Sequence, residues 1–124
     1  IARYDRKEGM TNKEIVKTLK GFGFRVIEKH DTTWKDLQKT NKKENAIIVS
    51  WMLHGYIGHV SMVERVSKKT IHLADSVSGR IIQMFKVVFL RLWFDYDDKW
   101  YPEKNSDIQL RWLAIVSRPR GFNK

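Results

Sequence analysis

The sequence predicts an α+β domain, an antiparallel sheet with short flanking helices. Three observations predict it. Residues 46–53 (AIIVSWML) form a nearly continuous apolar run, as in a strand buried on both faces. Two more extended segments follow at once, separated only by short turns at 54–58 and 67–69. Upstream, two Thr-led capping sequences each open a short amphipathic segment, so helices and strands alternate before the hairpins begin.

Taken in order, residues 1–9 are polar and charged, with Ile1, Ala2 and Tyr4 as apolar anchors, and read as a helix tail ended by Gly9. Thr11 and Glu14 are spaced as a capping box, the hydroxyl accepting from the Glu14 amide while the carboxylate reaches back. Ile15, Val16 and Leu19 then share one helical face, and Gly21 or Gly23 stops the helix. Residues 24–29 alternate as a short edge strand. Thr33 and Asp36 form a second box ahead of a Trp34 and Leu37 stripe, and 41–45 is a charged loop. After the run at 46–53, strands are expected over 58–66 and 70–75, a turn over 76–79, and a further strand over 80–84. Residues 85–94 place Phe85, Val88, Phe89, Leu92 and Trp93 on one helical face, which predicts a helix. Loops are expected at 95–98 and 102–107. A last apolar strand over 108–117 closes the sheet, and 118–121 ends the domain.

A chain of 124 residues has the size of a single domain with a real core. No apolar run reaches the ~18–20 residues of a membrane span, and no signal-peptide h-region is present. The absence of cysteine excludes disulfides and cysteine-ligated zinc within these residues. The net charge of +10, from 24 Lys and Arg against 14 Asp and Glu, favours polyanions, anionic membranes or acidic peptides as contacts. The lysines are scattered and no nucleic-acid motif accompanies them, so a solvated basic surface accounts for the charge and a nucleic-acid partner is not expected.

The polar residues that interrupt the central block are His59, after Gly58, and Asp75, at the end of the returning strand. If 67–69 is a three-residue loop, Val66 faces Thr70 and Ser61 faces Asp75. His59 is then the diagonal neighbour of Asp75 on one face, about 7–8 Å away at Cβ. A two-residue loop puts the two side chains on opposite faces. When paired, the carboxylate fixes the imidazole tautomer and stabilises its cation, as a general base requires. A histidine merely ending a strand beside a turn has the same spacing.

Other candidates are weaker. His30, His54 and His72 lack metal-ligand spacing, and His72 points away from Asp75. Asp95, Asp97 and Asp98 lack the glycine and terminal Glu of a calcium loop. Trp51, Trp93, Trp100 and Trp112 read as core or cleft wall. Ser50, Ser61 and Ser76 read as core or turn hydroxyls, not nucleophiles.

Three stretches form a pattern in order and spacing. The first is Gly9-Met10-Thr11 before a helix with Phe22-Gly23-Phe24 after it. The second is Trp34-Lys35-Asp36-Leu37 followed by Ala46-Ile47-Ile48-Val49. The third runs through Gly58-His59-Val60, Ile71-His72-Leu73-Ala74-Asp75, Gly79 and Phe89-Leu90-Arg91-Leu92-Trp93. Together they resemble the papain-like cysteine peptidase domains that cut double-glycine leader peptides from bacteriocins, with their free-standing bacterial relatives. The similarity spans residues 9–116. It implies a papain-like fold, no cofactor, and a peptide or leader-peptide substrate, with His59 as general base and Asp75 as the residue orienting it. The family's nucleophilic Cys and oxyanion-stabilising Gln lie on an N-terminal segment expected to precede Ile1, so the chain reads as one such domain, 1–124, lacking its Cys-bearing helix, with an attached exporter as a further expected partner. Ser76 stands where the family carries Pro. A relative that binds leader-type peptides without cleaving them is the alternative, and a basic nucleic-acid-binding domain the second.

Overall fold

The computed structural model describes residues 11–42, 44–54, 57–75, 78–96 and 102–118. The expected helix tail at 1–9 and the end at 119–121 fall outside them. So do Lys43, Gly55, Tyr56, Ser76, Val77, Asp97, Asp98 and Trp100.

Helix α1 (Asn12–Gly21) starts at the Thr11 box: Thr11 Oγ1 accepts from the Glu14 amide at 3.1 Å, and the Thr11 amide donates to Glu14 Oε1 at 2.9 Å. It stops because Gly23 takes φ +95°. The Phe24 amide can then reach the Leu19 carbonyl at 3.2 Å and the Gly23 amide the Lys20 carbonyl at 2.9 Å. Strand β1 (Arg25–Lys29) follows, then α2 (Trp34–Thr40), opened by the Thr33–Asp36 box. Strands β2 (Ala46–Leu53), β3 (Ile57–Val66), β4 (Thr70–Asp75) and β5 (Ile81–Phe85) come next, ahead of α3 (Lys86–Leu92).

The strands form a six-stranded antiparallel sheet in the order β1-β8-β2-β3-β4-β5, where β8 is Leu113–Ser117. Helices plus this sheet make the chain α+β. One face carries Ile47, Val49 and Trp51 of β2, Val63 of β3, Ile71 and Leu73 of β4 and Leu113 of β8. Trp34 and Leu37 of α2, Phe89 of α3 and Trp93 pack against it. On the opposite face Ile48, Val26 and Ala114 pack with Trp112 and with Val16 of α1. Central β2 is therefore buried from both sides, as its nearly continuous apolar sequence predicts.

Three expectations are corrected. The apolar run at 108–117 is not one strand closing the sheet. Arg111 takes φ +48°, its amide donates to the Trp93 carbonyl at 3.0 Å, and its carbonyl accepts from Thr32 Oγ1 at 2.7 Å. With its backbone groups turned to these partners, the run splits. Strand β7 (Ile108–Leu110) pairs with β6 (Phe94–Tyr96), where a loop was expected at 95–98, while β8 inserts between β1 and β2. A 3-10 turn at Asn105–Asp107 precedes β7. Phe85 is not on the buried helical face: it ends β5, where its strand neighbours' alternation turns it outward, and it is 65% exposed. Val88 is also exposed, leaving Phe89 as the buried residue of α3. Finally, Val66 pairs with Ile71 and not with Thr70.

Candidate active site

That last correction decides the site. Carried straight along the ribbon, the pairing of Val66 with Ile71 would set Asp75 opposite Met62 and turn its side chain away from His59. The register instead shifts between Val63 and Arg65, with Glu64 as the extra residue on β3, so beyond it Val63 meets Leu73 and Ser61 meets Asp75. The bulge returns His59 and Asp75 to one face. The pairing of Ser61 with Asp75 is as the sequence suggests, but it is reached through two compensating shifts.

His59 stands opposite Trp51 on β2 and diagonal to Asp75 on β4. Its Nε2 and Asp75 Oδ1 are in direct hydrogen-bond contact, with side chains 12% and 6% exposed. The second carboxylate oxygen, Oδ2, accepts from the Ser78 amide at 2.8 Å. The Gly79 amide donates to the Asp75 carbonyl at 3.0 Å, and the Asp75 amide to the Arg80 carbonyl at 2.9 Å. Gly79 closes this turn with φ +73°, a conformation that favours glycine. Both carboxylate oxygens are thus held from opposite sides. Burial pushes the Asp75 carboxyl up, but the hydrogen bonds from Ser78 and then His59 outweigh it, and the net shift is below the ordinary carboxylate range.

An ionised carboxylate can only accept, so His59 Nε2 must carry the proton in this contact. In the neutral ring the lone pair then sits on Nδ1. The Trp51 ring meets the imidazole edge-on, with centroids 5.2 Å apart and planes at 74°. Trp51 is itself fixed by its Nε1–H, which donates to Ser61 Oγ at 3.0 Å. The imidazole is therefore held by a carboxylate at Nε2 and an indole beside the ring. Such a histidine is oriented with Nδ1 left to accept a proton.

Ser61 is 1% exposed and its hydroxyl is bonded to the Trp51 indole, while Ser50, also 1% exposed, lies on the other face of β2. His72 is on the face of β4 away from Asp75, with Nδ1 buried and unpartnered. Among the described residues no group of three or more His, Cys, Asp or Glu could hold a metal ion, and no helix is long and apolar enough to cross a membrane. Asp95 Oδ1 accepts from the Tyr96 amide at 2.8 Å and lies 3.4 Å from where a Cβ on Gly58 would sit, so β6 packs close to the start of β3. Trp51, Trp93 and Trp112 are all buried.

Ser78 gives no signal in the sequence beyond its place in the turn expected at 76–79: it serves the site through its backbone amide, captured by the Asp75 side chain three residues before it in the manner of a helix N-cap. No family model matches this chain, and no curated protein matches it.

Proposed function

We propose that this is a papain-like cysteine-peptidase-type domain in which His59 is the general base and Asp75 its orienting residue. The observation that carries the reading is the Nε2-to-carboxylate contact, made across neighbouring strands and braced by Trp51 and Ser78. Its order of residues, with His on one strand and Asp on the next, agrees with the resemblance noted above. In such an enzyme a thiol loses its proton to the imidazole, the thiolate attacks the peptide carbonyl, and the imidazolium returns the proton to the leaving amine. These 124 residues contain no Cys, so the thiol that His59 serves has to come from outside them. The substrate is an extended peptide of the double-glycine leader type, laid beside His59.

The test is cleavage of a leader-type peptide by the encoded protein, read by mass spectrometry. Iodoacetamide and His59→Ala should each abolish turnover. Cleavage indifferent to both would remove the peptidase reading.

The absence of Cys from these 124 residues fits a second reading equally, a peptidase-like domain that binds leader-type peptides without cutting them. In that case calorimetry detects peptide affinity, turnover stays at zero, and His59→Ala leaves the affinity nearly unchanged.

A further inference from the structure

The end of the β3–β4 ribbon remote from His59 has a different character. There the turn Ser67-Lys68-Lys69 meets the junction of β5 and α3. An open hollow of about 410 Å³ is lined by Lys68, Lys69, Phe85, Lys86 and Val87. Val66 lies seven residue steps along β3 from His59, roughly 23 Å at ~3.3 Å per residue, so the hollow is not part of the histidine site.

Its frame is fixed. The Ser67 amide donates to the Thr70 carbonyl at 2.9 Å, and the Thr70 amide donates to Ser67 Oγ at 3.0 Å. Trp34 Nε1–H and Gln38 Nε2–H both reach the Ser67 carbonyl at 3.1 Å, tying α2 to the turn. The Lys86 amide donates to the Lys69 carbonyl at 2.6 Å, which locks the start of α3 to the same turn. On this frame Phe85 and Val87 are 65% and 64% exposed. Among the described residues no carboxylate forms an ion pair with Lys68, Lys69 or Lys86. Lys86 Nζ lies 5.8 Å from the centroid of the Trp34 ring, which holds that cation near the rim.

We propose that this hollow docks an acidic segment of a partner protein, one bulky apolar side chain of which seats on Phe85 and Val87 while its carboxylates meet Lys68, Lys69 and Lys86. Charge complementarity selects that occupant: three cations surround the apolar floor, and the net charge of +10 draws an acidic chain to it. A bilayer is held by an extended apolar face, which two exposed side chains do not make. A nucleic acid could stack a base on Phe85 alone and would leave Val87 without a partner, whereas one bulky apolar side chain covers both. The inference is independent of the chemistry at His59.

The probe is an N-acetylated, C-amidated pentapeptide EDFDE, titrated into the 15N-labelled protein and followed by amide chemical shifts. Shifts should cluster at residues 67–70 and 85–87, and affinity should fall about tenfold between about 50 mM and about 300 mM NaCl. Lys68→Glu with Lys69→Glu should weaken binding by about tenfold or more. Both residues sit on an exposed turn, and an otherwise superposable amide spectrum certifies the fold. Phe85→Ser in the protein, or Ser for Phe in the probe, should each cost about fivefold. Shifts elsewhere, or affinity unmoved by the lysine reversals, would overturn the proposal. So would tighter capture, at this same turn, of a poly-dT oligonucleotide or of phosphatidylserine vesicles.

Discussion

The two ends of the β3–β4 ribbon treat charge in opposite ways. At one end His59 and Asp75 are almost withdrawn from water, and every charged atom of the carboxylate is engaged. At the other, Lys68 and Lys69 stand in solvent around an apolar recess. A buried pair is costly to form and costlier to break, because removing one partner strands the other. Solvated lysines contribute almost nothing to stability. The first end is therefore tied to the fold, and the second can vary without disturbing it. Between them lies the bulge at Glu64, which offsets the register set by the turn and so returns His59 and Asp75 to one face.

The sharpest way to break this contrast is Trp51→Ala. It removes a 1% exposed indole, its bond to Ser61 and the wall beside His59 together, and should cost about 3–5 kcal/mol in urea unfolding. Asp75→Ala comes next, at about 3 kcal/mol, since it leaves the His59 Nε2–H and the Ser78 amide without their acceptor. The milder Asp75→Asn gives the pH signature. Because the Asp75 carboxyl lies below its ordinary 3.8 when folded, its contribution is complete above that value and disappears as pH falls through the folded pKa. The stability gap between wild type and Asp75→Asn should accordingly close as pH falls through the acid range. Gly79→Ala should cost about 1–2 kcal/mol purely through its φ of +73°, because an added Cβ there meets open space. Smallest of all, Lys68→Glu with Lys69→Glu should stay within about 0.5 kcal/mol of wild type.

Local chemistry made much of the fold legible. Both capping boxes, the glycine stop after α1 and the bounds of β2 follow from residue type and spacing, because each depends on contacts within a few residues. The breaks depend on distant partners and left no such trace. Arg111 is an ordinary arginine in an apolar run; what bends the chain there is the Trp93 carbonyl, which accepts from its amide, and the Thr32 hydroxyl, from far along the sequence. The bulge is the exception: Val63 and Val66 turn inward three residues apart with exposed Glu64 and Arg65 between them, a break in period-two alternation that a register carried straight from the turn passes over. At the site, His59 and Asp75 stood out as polar residues in an apolar block. Ser78 did not, because it acts through a backbone amide that any residue but proline possesses.

The most direct test of the central claim is the tautomer of His59, read from its ring 15N shifts and one-bond couplings at a pH where the ring is neutral. The proton should reside on Nε2, facing Asp75, with Nδ1 showing the shift of an unprotonated nitrogen, and Asp75→Asn should weaken that preference. A proton found on Nδ1, or an even mixture of tautomers in the wild-type protein, would contradict it.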